Sequence, residues 1–305
     1  MVDLSVALGP LKLKNPILVA AGTFGYGLEF QEFFDLKRIG GVITKTLTLQ
    51  PCEGNPAPRV VETPSGMLNA VGLQNVGIDA FLKEKWPELK SLGVPVVISV
   101  AGFSESEFVT CVQRLQGSGA AAIELNLSCP NVAHGPGARC FAQNAQETHS
   151  VVRAVKAISR LPIFAKLSPE VADLPTIALA ATEAGADVLT LINTLAGMVI
   201  DVDTEKPVLA HGTGGLSGPA IRPLAVRCIR EVYKAVKTPI LGIGGVASGR
   251  DALELMLAGA LAVAVGTANF WNPRAPLIVL DELTTLLQKK SKSARDCVGA
   301  MKEPA

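Results

Sequence analysis

An excess of charge of one sign is missing from this sequence. Its 28 Lys+Arg nearly balance 27 Asp+Glu, for a net charge of +1. So balanced a chain gives no electrostatic basis for binding nucleic acid or an anionic membrane surface, and any anion binding has to be local. Long hydrophobic runs are also missing. The most apolar stretch, Leu255–Ala268, is too short to span a bilayer and contains Gly259 and Gly266. The opening Met1-Val2-Asp3-Leu4 lacks the basic and apolar regions of a secretory signal. The six cysteines, Cys52, Cys111, Cys129, Cys140, Cys228 and Cys297, include no CxxC, and no histidine stands at zinc-finger spacing from them. These absences predict a cytoplasmic protein in a reducing compartment. No Gly-x-Gly-x-x-Gly opens a βαβ unit, which argues against a dinucleotide-binding Rossmann module.

What is present is core and turns. Of 305 residues 49% are hydrophobic, aromatics are only 5%, and glycine reaches 29 residues. Short β-branched apolar runs recur at Pro16–Ala20, Gly41–Thr44, Pro95–Val100, Ala122–Leu127, Pro162–Lys166, Val188–Ile192, Pro239–Ile243 and Ala262–Val265. They do not alternate with polar residues, so both faces are expected to be buried, as in a parallel sheet. Helical spacing falls between them, over Glu105–Gln116, Thr148–Ile158, Pro175–Ala184, Pro219–Val236, Gly249–Leu257 and Pro276–Leu287. Gly93, Gly119, Gly185 and Gly259 stand where helices should end in left-handed caps. Eight strands alternating with helices predict a (β/α)8 TIM barrel, one domain over residues 1–290 with a loose polar tail over 291–305. Two connections exceed ordinary barrel turns, Thr46–Asn75 and Thr194–Gly218. The first is expected to hold a hairpin over the barrel mouth, and loops this long are usually functional.

Barrel chemistry belongs at the C-terminal ends of the strands. There the sequence places Ala20-Ala21-Gly22-Thr23, Lys45-Thr46, Ser99, Asn126 with Ser128-Cys129, Lys166, Asn193-Thr194, Gly244-Gly245 and Gly266-Thr267. The last two pairs, with a helix starting near Ser248, read as a phosphate cradle of backbone N–H groups and a helix N-terminus. A single glycine motif is weak, since tight turns use glycine too, but two adjacent loops share the pattern. Lys45 and Lys166 end strands inside the barrel, where an unpaired cation is costly. Glu170 is near enough in sequence to Lys166 to be a salt-bridge partner, but an electron-rich cofactor is the better reading. A mononucleotide such as FMN suits a single phosphate cradle, with a lysine beside the flavin N1–C2 edge. A lone cysteine is ordinarily a small buried hydrophobe, and Cys52, Cys111, Cys228 and Cys297 are read so. Cys140 is assigned to loop packing. Cys129 differs, lying past a strand end, before proline and among polar side chains, where a thiol can act as base or nucleophile. His134, His149 and His211 form no recognisable pair with it.

Taken in order, several stretches together resemble the dihydroorotate dehydrogenases, class 1B catalytic chains in particular, over about residues 4–287. They are Ala20-Ala-Gly-Thr-Phe-Gly-Tyr-Gly27, Thr44-Lys-Thr46, Glu53-Gly-Asn-Pro56, Asn69-Ala-Val-Gly-Leu-Gln-Asn75, Asn126-Leu-Ser-Cys-Pro-Asn131, Asn193-Thr194 and Gly242-Ile-Gly-Gly245. Cysteine rather than serine at position 129 marks class 1. Ser99 stands where many members carry asparagine. The resemblance implies oxidation of (S)-dihydroorotate to orotate in pyrimidine synthesis, with one FMN per chain. FMN contacts are implied for Ala21, Gly22, Lys45, Thr46, Ser99, Asn126, Lys166, Ile192, Gly218, Gly244, Gly245, Gly266 and Thr267. Substrate contacts are implied for Lys45, Asn69, Ala70, Val71, Gly72, Leu73, Asn126, Asn131, Asn193 and Thr194. Cys129 and Lys45 form the catalytic set, Cys129 taking the C5 proton while hydride passes from C6 to flavin N5. A free thiol titrates near about 8.5, so activity is expected to rise toward alkaline pH. Electrons are implied to pass to NAD through a separate subunit carrying FAD and [2Fe–2S], around a homodimer core of a heterotetramer.

Two other readings remain. A dihydropyrimidine dehydrogenase-like chain shares the Asn-Leu-Ser-Cys-Pro stretch but reduces uracil or thymine, which lack the carboxylate that Lys45 and the 69–73 loop suit. A non-catalytic barrel binding a phosphorylated metabolite would use the cradle alone.

Overall fold

The protein, seen here as a computed structural model, is described over residues 2–128 and 140–303. Eight parallel strands close into a barrel: Ile17–Val19, Gly41–Ile43, Val96–Val100, Ala122–Asn126, Ile163–Lys166, Val188–Leu191, Ile240–Ile243 and Ala262–Val265. The last pairs with the first, Val263 opposite Ile17. Each of the eight apolar runs contains one of these strands, and their residues are buried throughout. That is the burial a strand needs when side chains fill the barrel on one face and helices cover the other.

The helices begin where polar caps permit. Ser104 accepts from the Glu107 N–H ahead of Glu105–Leu115, and Asn144 from the N–H groups of Gln146 and Glu147 ahead of Ala145–Ile158. Asp173 does the same at Leu174–Glu183, and Ser248 at Gly249–Ala258. The Glu105–Leu115 helix stops before the expected glycine: Gln116 is extended and Gly117 takes the first left-handed turn, φ +77°. The connection after the first strand has only 3-10 turns, Leu28–Phe30 and Leu36–Arg38.

Three features were not foreseen. A hairpin of Val6–Leu8 and Leu11–Leu13 turns its buried side chains to the barrel floor, and its turn at Gly9 abuts Asp187 and Val188 at the start of the sixth strand. Residues 291–303 are packed against the barrel rather than loose. Ala294 and Cys297 are buried, and Gly299 and Met301 donate to Met256 and Leu257 carbonyls at 2.9 and 3.2 Å. Glu303 meets Arg230 at 2.5 Å and Lys234 at 3.0 Å.

The third concerns the two long excursions. The expected hairpin in the first is Val60–Thr63 with Gly66–Asn69. The second contributes Leu195–Gly197 and Gly214–Ser217, and the four strands form one antiparallel sheet. The excursions join where Gly215 faces Asn69 and Ser217 faces Met67. This pairing links segments far apart in sequence, so no local periodicity announces it. A separate small core of Leu68, Ala70 and Leu209 lies under the sheet.

Candidate active site

The sheet and the barrel mouth enclose a cavity of about 1170 Å³, part of it open to solvent. Ala21, Gly22, Lys45, Thr46, Asn126, Lys166, Ile192, Gly218, Gly244, Gly245, Gly266 and Thr267 all line it, as do Asn69, Val71, Gly72, Leu73, Asn193 and Thr194. Cys129 and Asn131 lie outside the described residues.

Two of the expected residues are not among those lining the cavity. Ser99 does not line the cavity. It is fully buried one layer deeper, its hydroxyl held between Thr46 Oγ1 at 3.0 Å and Glu124 Oε1 at 3.1 Å. Ala70 turns away into the small core beneath the sheet. Its carbonyl accepts from Asn55 Nδ2 at 2.9 Å.

The sequence reading also missed part of the wall. Ser217, Phe270 and Trp271 line the cavity, with Val60 and Met67 from the small sheet. Phe270 and Trp271 lie in a one-turn helix, Ala268–Trp271, after the last strand. Such a short helix has no amphipathic period to betray it. Ser217 was legible only as part of a long loop, yet its Oγ accepts from Thr267 Oγ1 at 2.8 Å and ties the sheet to the eighth strand's loop.

One end of the cavity is built from backbone. Gly244 and Gly245 have φ of +132° and +73°. A Cβ on Gly244 would stand 2.7 Å from Ala225 Cβ, and one on Gly245 2.6 Å from Arg222 Cβ. Only glycine lets the chain turn here so close to the neighbouring helix. The N–H groups of Gly244, Gly245, Thr267 and Ala268 have no acceptor among the described residues. The expected contribution of the helix after Ser248 does not materialise. Asp251 accepts from the Ala247 and Ser248 N–H groups at 3.0 and 2.8 Å and pairs with Arg222. A carboxylate already occupies that N-terminus, so the cradle is formed by the two glycine loops themselves.

Lys166 is 6% exposed, lines the cavity, and has no hydrogen bond or ion pair among the described residues. Glu170 is not its partner, since its Oε1 accepts from the Ala196 N–H at 2.6 Å. Lys45 lines the same space, and no Asp or Glu does so among the described residues. Two ammonium groups without a lining carboxylate select for an anionic, electron-rich ligand. A Cβ on Gly266 would meet nothing nearer than Ala20 Cβ at 3.7 Å, so the backbone there is bare toward the cavity. Buried lysine, unpaired N–H groups and bare glycine together fit a phosphorylated flavin mononucleotide.

Amides line the cavity beside Lys166, Asn126 pairing with it in register. Asn193 Nδ2 donates to Ser128 O at 2.8 Å and lies 2.9 Å from its Oγ, while Asn193 Oδ1 accepts from the Thr194 N–H at 2.9 Å. Asn126 Oδ1 is buried without a partner among the described residues. Gly72 and Leu73 bring the 69–73 loop to the cavity with φ of +75° and +56°. Leu73 thus holds a conformation that costs a side-chain-bearing residue ~1–3 kcal/mol and that tends to be kept at ligand sites.

Comparison with known proteins agrees with this geometry. The family model described as dihydroorotate dehydrogenase matches residues 3–287. Among curated relatives, a protein of Citrifermentans bemidjiense named dihydroorotate dehydrogenase B (NAD(+)), catalytic subunit, is 51% identical over 301 residues, covering 98% of each chain. A protein of the same name from Desulforudis audaxviator is 50% identical, covering 98% of this chain and 97% of its own. Another from Bacteroides thetaiotaomicron is 46% identical over 99% of both. This chain, a closed barrel with a cationic cavity at its mouth and matched along nearly its whole length, belongs to the dihydroorotate dehydrogenase family.

Proposed function

We propose that the chain is the catalytic subunit of a type B dihydroorotate dehydrogenase, oxidising (S)-dihydroorotate to orotate in pyrimidine synthesis. The observation that carries this reading is the cavity with Lys45 and Lys166, no lining carboxylate among the described residues, and unpaired N–H groups at one end. Bound FMN would supply the hydride acceptor, its N5 atom. Gly244, Gly245, Gly266 and Thr267 would hold its phosphate, with Ala21, Gly22, Thr46, Ile192 and Gly218 along the ring and ribityl chain. Lys166 would face the electron-rich edge and oppose the charge gained on reduction.

Lys45 would bind the substrate carboxylate. Asn69, Asn126, Asn193, Thr194 and the backbone of Val71–Leu73 would hold the ring, because amides offer both a donor and an acceptor to a ring presenting both. Cys129 and Asn131, assigned from sequence, complete the site. The Cys129 thiolate would take the C5 proton as hydride leaves C6, so a proton and a hydride, two hydrogens and two electrons in all, leave as the C5–C6 double bond forms. The electrons are expected to pass to NAD through a partner subunit carrying FAD and [2Fe–2S], around a homodimer core in a heterotetramer.

Anaerobic mixing of the FMN-loaded chain with dihydroorotate tests the reading, with bleaching of the flavin band expected. Cys129→Ala should retain FMN and bleach more slowly by about two orders of magnitude or more, the usual scale for a lost general base. Bleaching at the unaltered rate would remove Cys129 as the base. Turnover of uracil in place of dihydroorotate would favour the reductive alternative.

A further inference from the structure

Behind the cavity wall lies a fully buried carboxyl group. Glu124 sits on the fourth strand two residues before Asn126, so both side chains face the barrel interior. Its Oε1 lies 3.1 Å from Ser99 Oγ, and its Oε2 has no partner among the described residues. Ser99 Oγ in turn lies 3.0 Å from Thr46 Oγ1, which accepts from Asn126 Nδ2 at 3.5 Å. Thr46 and Asn126 line the cavity, whereas Ser99 and Glu124 do not. The four side chains form a continuous polar run from the barrel interior to the cavity surface.

A hydroxyl has one proton to give, so this run has two possible senses. With Glu124 Oε1 accepting, Ser99 gives its proton to Glu124 and must accept from Thr46. The Thr46 proton is then drawn inward, and the cavity meets a Thr46 lone pair beside Asn126 Oδ1. With Glu124 donating, the Ser99 proton turns to Thr46, and the Thr46 proton is released toward the cavity as a donor. The rest of the site favours the first sense. Asn126 already directs its Nδ2 at Thr46 and leaves Oδ1 unpartnered. The cavity's ammonium groups, on Lys45 and Lys166, can only donate, so a ring carrying N–H as well as C=O needs an accepting wall.

We propose that Glu124 is a positioning residue that fixes this sense. By accepting from Ser99, it makes the Thr46–Asn126 wall an acceptor face for the imide N–H of a planar ring. The inference rests on the flavin reading above, which makes that ring the isoalloxazine. Glu124 itself touches neither flavin nor substrate.

The test compares FMN with 3-methyl-FMN, in which the imide N–H is replaced by N–CH3. Both are titrated by fluorescence into the flavin-stripped chain. The unaltered chain is expected to prefer FMN, and Glu124→Leu to lose about fivefold of that preference, the scale of one net hydrogen bond. Ser99→Ala, which cuts the run with the carboxyl in place, should lose it equally, and it serves alone if Glu124→Leu does not fold. Glu124→Gln, whose carboxamide oxygen still accepts, should restore the preference. The proposal is overturned if Glu124→Leu or Ser99→Ala keeps the preference or weakens both flavins equally, or if Glu124→Gln fails to restore it. It is overturned too if the unaltered chain binds FMN but does not distinguish the two flavins, and in that case the flavin reading stands. Failure of the unaltered chain to bind FMN at all sinks both.

Discussion

Asn69 and Gly215 face each other in antiparallel register, and Asn69 Nδ2 donates to the Gly215 carbonyl at 3.2 Å across 146 residues of sequence. Asn69 also lines the cavity. One side chain therefore both joins the two excursions and serves the site they cover. Asn69→Ala should raise KM for dihydroorotate several-fold and lower the unfolding free energy by about 1 kcal/mol, the net value of one hydrogen bond. FMN content should not change. Steady-state kinetics and urea unfolding check the two parts separately.

Lys166→Met keeps most of the side-chain volume and removes a buried cation without a partner among the described residues. In the flavin-free chain it should raise Tm or leave it unchanged, because an unpaired buried charge is unfavourable. FMN affinity should fall tenfold or more, since a hydrogen bond to a charged group contributes about 1.5–3 kcal/mol. A lower Tm in the flavin-free variant would mean that Lys166 supports the fold rather than a ligand.

Gly245→Ala and Gly266→Ala should separate fold from cradle. A Cβ at Gly245 would meet Arg222 Cβ at 2.6 Å and Gly218 O at 2.9 Å, on a left-handed backbone that costs a non-glycine residue ~1–3 kcal/mol. At Gly266 the nearest atom is 3.7 Å away, so the protein should be as stable as the unaltered chain. Both variants should bind FMN more weakly, but only Gly245→Ala should melt earlier. Thermal melts with and without FMN distinguish the two.

Burial, and secondarily the charge of Glu107, pushes the Cys111 thiol from an ordinary 9.0 up to about 12. Between those values the native state keeps a proton that the unfolded chain releases. This contribution is fully present below pH 9 and declines as pH rises toward 12, by about 1.4 kcal/mol per pH unit. Burial raises Cys228 and Cys297 in the same direction. Urea midpoints should therefore fall through the alkaline range, and Cys111→Ala should make that fall shallower.

The eight-stranded core was legible because buried parallel strands write themselves as unbroken apolar runs, and the strand ends then pointed to Lys45, Asn126, Lys166 and the glycine pairs. Gly244 and Gly245 of the cradle were readable because their backbone conformation excludes other residues. Phe270 and Trp271 escaped because a one-turn helix has no period. The ordered C-terminal segment escaped because its polar composition resembles a solvated tail, while its anchors are backbone hydrogen bonds.

By itself, then, the sequence determined the barrel, the chemistry at its mouth and the family resemblance, since each depends on local residue type and order. Only the tertiary structure decided what faces what. It drew the two excursions into one sheet, filled the helix N-terminus after Ser248 with Asp251, and moved Ser99 from the cavity wall to a layer beneath it. Such relations depend on side chains meeting across the fold, and linear order carries no record of those distances.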